Sequence, residues 1–275
     1  MPHTTIGILH RPYWPKGLEK CLSNILDTTK DLSDIEIIVK IGFDTDSESW
    51  NVIERFRDKL PIKEIILPTL EFTNRAGLLD YCNIIAMNSK GILCWILSDE
   101  VRILTKDWDV IAKKWATILN GVPWVLNPRL KERNLTSCAW YPIVTKRFIE
   151  LQGGFAQHML IDSYIDIVSG FMRNLLVDYC NSVGKRYDRI IERSYVVPID
   201  ITEDHISKNQ NEVTKNQLSY IETRCSKWFV EKTQFKDINL PEVSGNPYSL
   251  LTDIRNEFKK VFDPSTILPV LECNA

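Results

Sequence analysis

The sequence predicts an α/β fold with a mostly parallel central sheet flanked by helices. Three observations lead there. Apolar runs of strand length alternate with helical apolar stripes over the first 120 residues. Those runs are continuous rather than alternating, as in strands covered on both faces. Polar residues collect just beyond the runs, where such sheets gather their ligands.

Thr4 to Leu9 reads as the first strand, and from Gly17 the residues Leu18, Cys21, Leu22, Ile25 and Leu26 fall at helical spacing. Ile35 to Ile41 is the second strand. A second helix follows behind the polar start Asp46-Ser47, with Trp50, Ile53, Phe56 and Leu60 inward. Ile62 to Leu67 is the third strand, and Leu78, Leu79, Cys82, Ile85 and Ala86 mark a third helix. Gly91 is expected to close that helix with a positive φ. Ile92 to Leu97 is the fourth strand, and Trp108, Ile111, Ala112, Trp115, Ile118 and Leu119 repeat on a fourth helix ending at Gly121. The residues just after strands one, two and four are His10-Arg11, Asp44-Thr45-Asp46 and Asp99-Glu100, which puts the polar chemistry on one rim.

Beyond Gly121 the rhythm changes. "VPWVLN" and "CAWYPIV" read as further strands, and Asp162 to Tyr179 as a long helix with Ile165, Val168, Met172, Leu175 and Tyr179 inward. This half is expected to mix antiparallel strands with helices. From about residue 210 the chain reads as polar and helical (Leu218, Ile221, Cys225, Phe229), then loop-rich through "DINLPEVSGNPYS".

At 275 residues and 44% hydrophobic, the chain can bury a sizeable core. Its net charge of -2, from 34 basic and 36 acidic residues, recommends no nucleic acid as a partner. An anionic ligand must be met locally. The seven cysteines (Cys21, Cys82, Cys94, Cys138, Cys180, Cys225, Cys273) are odd in number and show no CxxC spacing. They are expected to be reduced, mostly buried thiols of a cytoplasmic protein. The first apolar stretch is short for a signal peptide, and no run approaches the roughly 20 residues of a membrane span, which leaves only peripheral membrane contact open. The 11 glycines form neither a Walker loop nor a GxGxxG turn, so a P-loop kinase or a nicotinamide enzyme is not expected.

The segment "WILSDEVRILTKDWD", residues 95–109, sets two adjacent carboxylates at the end of a buried strand. Charges there are costly unless paired, hydrogen-bonded or bound to a metal. Hard cations such as Mg²⁺ and Mn²⁺ prefer such oxygens and bridge them to phosphates; the plain alternative is an acidic turn. Arg75 opens a helix, where backbone N–H groups already favour an anion, although from the residues alone a surface pair with Glu71 or Asp80 is the preferred reading. Asp162 and Asp166 lie four apart on one helical face, and Asp162 is also well placed to be the N-cap.

The segment resembles the strand, short acidic motif and x-x-T-x-x-W-D continuation of nucleotide-sugar glycosyltransferases of the GT-A fold, especially family 2. Other stretches are similar in the same order: "HRPYWPKGLEKCLSNIL", "IEIIVKIGFDTDSE", "TNRAGLLDYCNIIAMNSKGILCWIL", "YPIVTKRFIELQGGF" and "LIDSYIDIVSG". The resemblance spans roughly residues 4–206. It implies a GT-A (nucleotide-diphospho-sugar transferase) domain over 1–210, with a nucleotide-sugar-binding half at 1–120 and an acceptor-side half at 121–210. A C-terminal helical and loop extension would occupy 211–275.

By that resemblance the donor is a nucleoside diphosphate sugar, a UDP- or GDP-sugar, and the acceptor a glycan or other hydroxyl. Arg11 and Asp44 would flank the base, Arg75 would contact base or phosphate, and Asp99 would hold ribose. Glu100 would ligate Mn²⁺ or Mg²⁺, with Asp99 beside it and His205 completing the site. Asp162 would be the catalytic base of an inverting transfer, with Asp166 beside it in the acceptor site. The sequence departs from the family's pattern at Gly42-Phe43, where acids are common, and at Ser98-Asp99-Glu100, where aspartates are. Two other readings stay open: a degenerate member that binds a nucleotide sugar or glycan without turnover, and a sugar nucleotidyltransferase.

Overall fold

The structure, a computed structural model, describes residues 2–11, 14–42, 47–67, 75–131, 141–156, 161–185, 196–203 and 262–272. Of residues 67, 75–77, 162–164, 167 and 270–272 only the backbone is described. In chain order the elements are β1 (Thr4–Leu9), α1 (Pro15–Thr28), β2 (Ile35–Gly42), α2 (Ser47–Arg57), β3 (Ile62–Leu67), α3 (Arg75–Asn88), β4 (Leu93–Ser98), β5 (Val101–Ile103), α4 (Trp108–Ile118), β6 (Val125–Leu130), β7 (Ile143–Thr145), α5 (Lys146–Gln152), α6 (Ile161–Ser182), β8 (Val196–Glu203) and α7 (Pro264–Glu272).

An eight-stranded sheet runs in the order β3-β2-β1-β4-β7-β6-β8-β5. Its first half is parallel throughout, as the uninterrupted apolar runs require. The second half is mixed: β7 is antiparallel to β4 and β6, β8 is parallel to β6, and β5 is antiparallel to β8. Helix α3 lies against β1 and β2, and α4 reaches β1 and β8. Ile6, Ile8, Ile37, Val39, Leu93 and Trp95 have no exposed surface. Each such aliphatic side chain contributes about 1.5–3 kcal/mol relative to exposure.

The Thr105-to-Asp109 stretch serves as a clamp. Trp108 is wholly buried and meets Trp95 edge to face, with centroids 5.5 Å apart. Its indole N–H donates to Thr29 Oγ1 at 3.1 Å. Asp109 accepts from the backbone N–H groups of Lys30 and Asp31 at 2.8 and 2.9 Å, and Thr105 Oγ1 accepts from that of Asp200 at 2.7 Å. One segment therefore ties α4 to the end of α1 and to β8.

Several expectations change in detail. α3 ends at Asn88, and Gly91 has no positive φ; a Cβ there would stand 2.5 Å from the backbone nitrogen of Thr5, so close packing against β1 excludes a side chain. Gly121 does take a positive φ, of 78°, just after α4. The strands expected around "VPWVLN" and "CAWYPIV" begin only at Val125 and Ile143. On α6 the wholly buried positions continue from Met172 to Leu176 and Cys180, with Leu175 and Tyr179 on the flank of the core. α6 opens at Ile161, so Asp162 sits inside its first turn rather than at the cap before it.

Cys21, Cys82, Cys94 and Cys180 are buried free thiols, while Cys138, Cys225 and Cys273 lie outside the described residues. Burial pushes the thiols of Cys21 and Cys94 up to about 12, which keeps them protonated and inert. Leu218, Ile221, Cys225 and Phe229 also lie outside the described residues. Further on, α7 packs on α6 and buries Phe262, Ile267 and Leu268. No helix among the described residues is long and apolar enough to cross a membrane.

Candidate functional site

Parallel pairing aligns Leu9 of β1 with Ser98 of β4. The residues that follow, His10-Arg11 and Asp99-Glu100, therefore leave the sheet side by side at its carboxyl rim. Asp99 has no exposed surface, yet its carboxylate is well met. Oδ2 accepts from His10 Nδ1 and from the Arg11 backbone N–H, both at 2.9 Å, and Oδ1 accepts from Arg11 Nε at 3.1 Å. This pairing offsets the cost of burying the charge.

His10 is equally enclosed, with Nε2 2.8 Å from Ser49 Oγ of α2. A carboxylate only accepts, so Nδ1 carries the proton that faces Asp99, while the serine hydroxyl can meet Nε2 as donor or acceptor. Arg102 closes the turn beneath by donating from Nη1 to the carbonyls of Asp99 and Val101, both at 2.8 Å. The β4–β5 turn is thus held from both sides.

Glu100 faces outward, with a quarter of its side chain exposed (26%). Its Oε2 accepts from Arg11 Nη2 at 3.1 Å, and its Oε1 lies 3.3 Å from Ser98 Oγ. From Ser98 the network continues to the Tyr141 hydroxyl at 3.2 Å, and Tyr141 donates to Glu203 Oε1 at 2.7 Å. Two hydroxyl protons serve three contacts here. Tyr141 commits its proton to Glu203, so Ser98 shares one between Glu100 and Tyr141, in keeping with its two long contacts.

Tyr141 carries a φ of 50°, uncommon for a bulky residue, while its carbonyl accepts from Trp95 Nε1 at 2.9 Å. Burial, reinforced by the charges of Glu203 and Glu100 and opposed by Ser98, pushes its hydroxyl above the ordinary phenol range. It remains a proton donor. Glu203 reaches this place because β8 pairs it with Val101, next to the acidic pair.

Of the residues expected at the site, Arg11, Asp99 and Glu100 are brought together. Arg75 is the first residue of α3, and Asp162 and Asp166 lie four apart at the start of α6; for Arg75 and Asp162 only the backbone is described. Asp44 and His205 lie outside the described residues. Ser49 and Tyr141 join the cluster without having been expected to, Glu203 joins it through Tyr141, and His10, placed on the rim by its position after the first strand, bonds Asp99. The one sequence signal for Glu203 was an acid at the end of "VVPIDITE", as at the end of β4.

For a divalent cation the donor chemistry fits. Glu100 and Glu203 offer carboxylate oxygens and Ser98 and Tyr141 hydroxyls, the hard donors that Mg²⁺ and Mn²⁺ select. Among the described residues no three His, Cys, Asp or Glu side chains are grouped to hold a metal by themselves. A cation here would draw on Glu100 and take its remaining ligands from a substrate's phosphates.

No protein-family model and no curated protein matches the sequence. Among solved structures, the chain is similar to the mannosyltransferase PcManGT from Pyrobaculum calidifontis in complex with GDP-Man and Mn²⁺. That match has a TM-score of 0.52 at 12% identity and covers 99% of this chain and 74% of that one. S. aureus TarS in complex with UDP-GlcNAc gives 0.46 at 10% identity over 94% and 73% of the two chains. Another TarS structure gives 0.41 at 15% identity, and there the match spans 54% of this chain and 48% of that one. The chain thus has a GT-A-like glycosyltransferase fold, shared with PcManGT at low sequence identity.

Proposed function

We propose that this chain is a glycosyltransferase that moves a sugar from a nucleoside diphosphate donor to an acceptor hydroxyl, with inversion and with the assistance of Mn²⁺ or Mg²⁺. One observation carries the reading. An acidic pair at the end of β4 is locked to Arg11 and His10 at the end of β1, on the ligand-binding rim of a parallel sheet. PcManGT, of the same fold, was solved with GDP-Man and Mn²⁺, which supports a nucleoside diphosphate sugar as the donor; a UDP- or GDP-sugar is the form we propose.

In this reading the nucleotide lies across the strand ends, flanked by Arg11 and Asp44, with Arg75 at its phosphates. Asp99, being enclosed, acts through Arg11 and His10 by holding both in place. Glu100 is the exposed acid that reaches the ligand, and His205 would stand with it at the cation. When bound, the cation neutralises the diphosphate and eases its departure. Asp162 takes the proton of the acceptor hydroxyl as that oxygen bonds to the anomeric carbon and the bond to the diphosphate breaks. Arg75 meets the charge that develops on the leaving group. Asp166 positions the acceptor one turn further along α6. The donor and acceptor halves would meet near residue 120, and the buried thiols agree with a cytoplasmic setting.

The test is a thermal-shift panel of UDP, GDP, CDP and dTDP sugars with and without Mn²⁺, followed by measurement of released nucleoside diphosphate. One donor at a hundred times its Kd should stabilise the protein by about 2.7 kcal/mol, a shift of a few degrees. Stabilisation by none of them would refute the reading. Stabilisation with no release of sugar to any acceptor or to water would favour a nucleotide-sugar-binding module, for which the ion pair already occupying Glu100 is the supporting observation.

A further inference from the structure

We infer that Arg11 competes with the cation for Glu100, so that the side chain acts as an internal counterion which the donor's diphosphate must draw away. The inference rests on the proposed function, and its first test uses the cation alone.

The geometry begins with the guanidinium. Arg11 spans the acidic pair, Nε on Asp99 Oδ1 and Nη2 on Glu100 Oε2, each at 3.1 Å. The two contacts differ in kind. The Asp99 contact is backed by a second, from the Arg11 backbone N–H at 2.9 Å, and lies against a carboxylate with no exposure. The Glu100 contact is a single ion pair between side chains 24% and 26% exposed. A single pair open to water on one side is weaker than one backed by a second hydrogen bond and exchanges more readily. The guanidinium also lies over the Trp14 ring, 4.4 Å from its centroid, which keeps it close when it leaves Glu100.

A cation on Glu100 would need the same carboxylate that Arg11 already pairs with. With Arg11 Nη2 already at 3.1 Å from Oε2, the two positive charges would crowd one carboxylate. Glu100 Oε1 does not relieve this, because it shares the proton of Ser98 with Tyr141. Asp99 offers no second ligand, since its carboxylate already receives three hydrogen bonds. Cation alone therefore binds poorly. A diphosphate supplies the oxygens that a guanidinium grips best, in pairs, and so releases Glu100 as it brings its own ligands to the cation. Cation and nucleotide enter together.

The experiment titrates Mn²⁺ alone into the 275-residue chain by calorimetry and by the loss of its free-ion EPR signal. Arg11→Gln should bind Mn²⁺ about fivefold more tightly than the wild type, the size expected from removing one neighbouring charge near the surface. Arg11→Lys keeps a charge beside Asp99 without the two-pronged reach, so it protects the fold and should fall between the two. Adding Glu100→Gln to either variant should abolish the gain. Unchanged or weaker Mn²⁺ binding in folded Arg11→Lys would overturn the inference. A gain that survives Glu100→Gln would do so as well. A donor panel that fails while Mn²⁺ binding rises as expected would strike the proposed function and leave the competition standing.

Discussion

The imidazole of His10 and the carboxylate of Asp99 meet at 2.9 Å, with neither side chain exposed to solvent. Asp99→Ala would leave His10 Nδ1 and both the backbone N–H and the guanidinium Nε of Arg11 without their acceptor. We expect a loss of about 3–5 kcal/mol, as for a broken buried ion pair, read as a lower urea midpoint at unchanged m. Glu100→Ala, which breaks a pair about a quarter exposed, should cost less than about 1 kcal/mol. Equal losses from the two variants would contradict the division between a positioning acid and a ligand-facing one.

Burial lifts the carboxyl of Asp80, on α3, to about 6. The unfolded value is about 3.9. Between those values the folded protein holds the proton more tightly, so this group's stabilising contribution is full below the lower value and lost as pH rises through the upper one. Asp80→Asn should therefore gain about 1–2 kcal/mol over wild type at about pH 7, allowing for partial exposure, and almost nothing at about pH 4. Denaturation curves at the two pH values decide it. A gain of the same size at both would mean that the carboxyl's burial is not the cause.

Asp162 lies in the first turn of α6, where the helix N-terminus favours a carboxylate by about 0.3–1 kcal/mol. Loss of a general base costs about a hundredfold to ten-thousandfold in rate. Asp162→Asn should accordingly bind donor as wild type does and transfer almost no sugar to the acceptor. Transfer near the wild-type rate would leave Asp162 a helix-terminal charge and direct the search to Asp166 or Glu203.

The parallel half of the sheet was legible because buried strands leave unbroken apolar runs: the expected Thr4 to Leu9 and Ile62 to Leu67 are β1 and β3 as observed. The acidic pair was legible too, since two carboxylates at the end of such a run need partners. His10 and Arg11 were legible as rim residues, but not their bonds: they reach Asp99 across 89 and 88 residues, and Tyr141 reaches Ser98 across 43, through strand order that no local pattern encodes. β5 and β8 were unread for the same reason, one being three residues long and the other carrying polar residues between its buried ones. Trp108 and Asp109 stood out as motif residues, but their contacts go to the core and to the end of α1 rather than to the site.

Donor binding in the proposed site turns on Glu100. Calorimetric titration of the donor selected by the thermal panel, with Mn²⁺ present, should give clear binding in the wild type and at least about a tenfold loss in Glu100→Ala, since even an outer-shell partner of a metal ligand is worth about ten- to a hundredfold in affinity. The circular dichroism and urea midpoint of the variant should match the wild type within about 1 kcal/mol. Unchanged donor affinity in a folded Glu100→Ala protein would contradict the claim that the rim of β1 and β4 holds the nucleotide sugar.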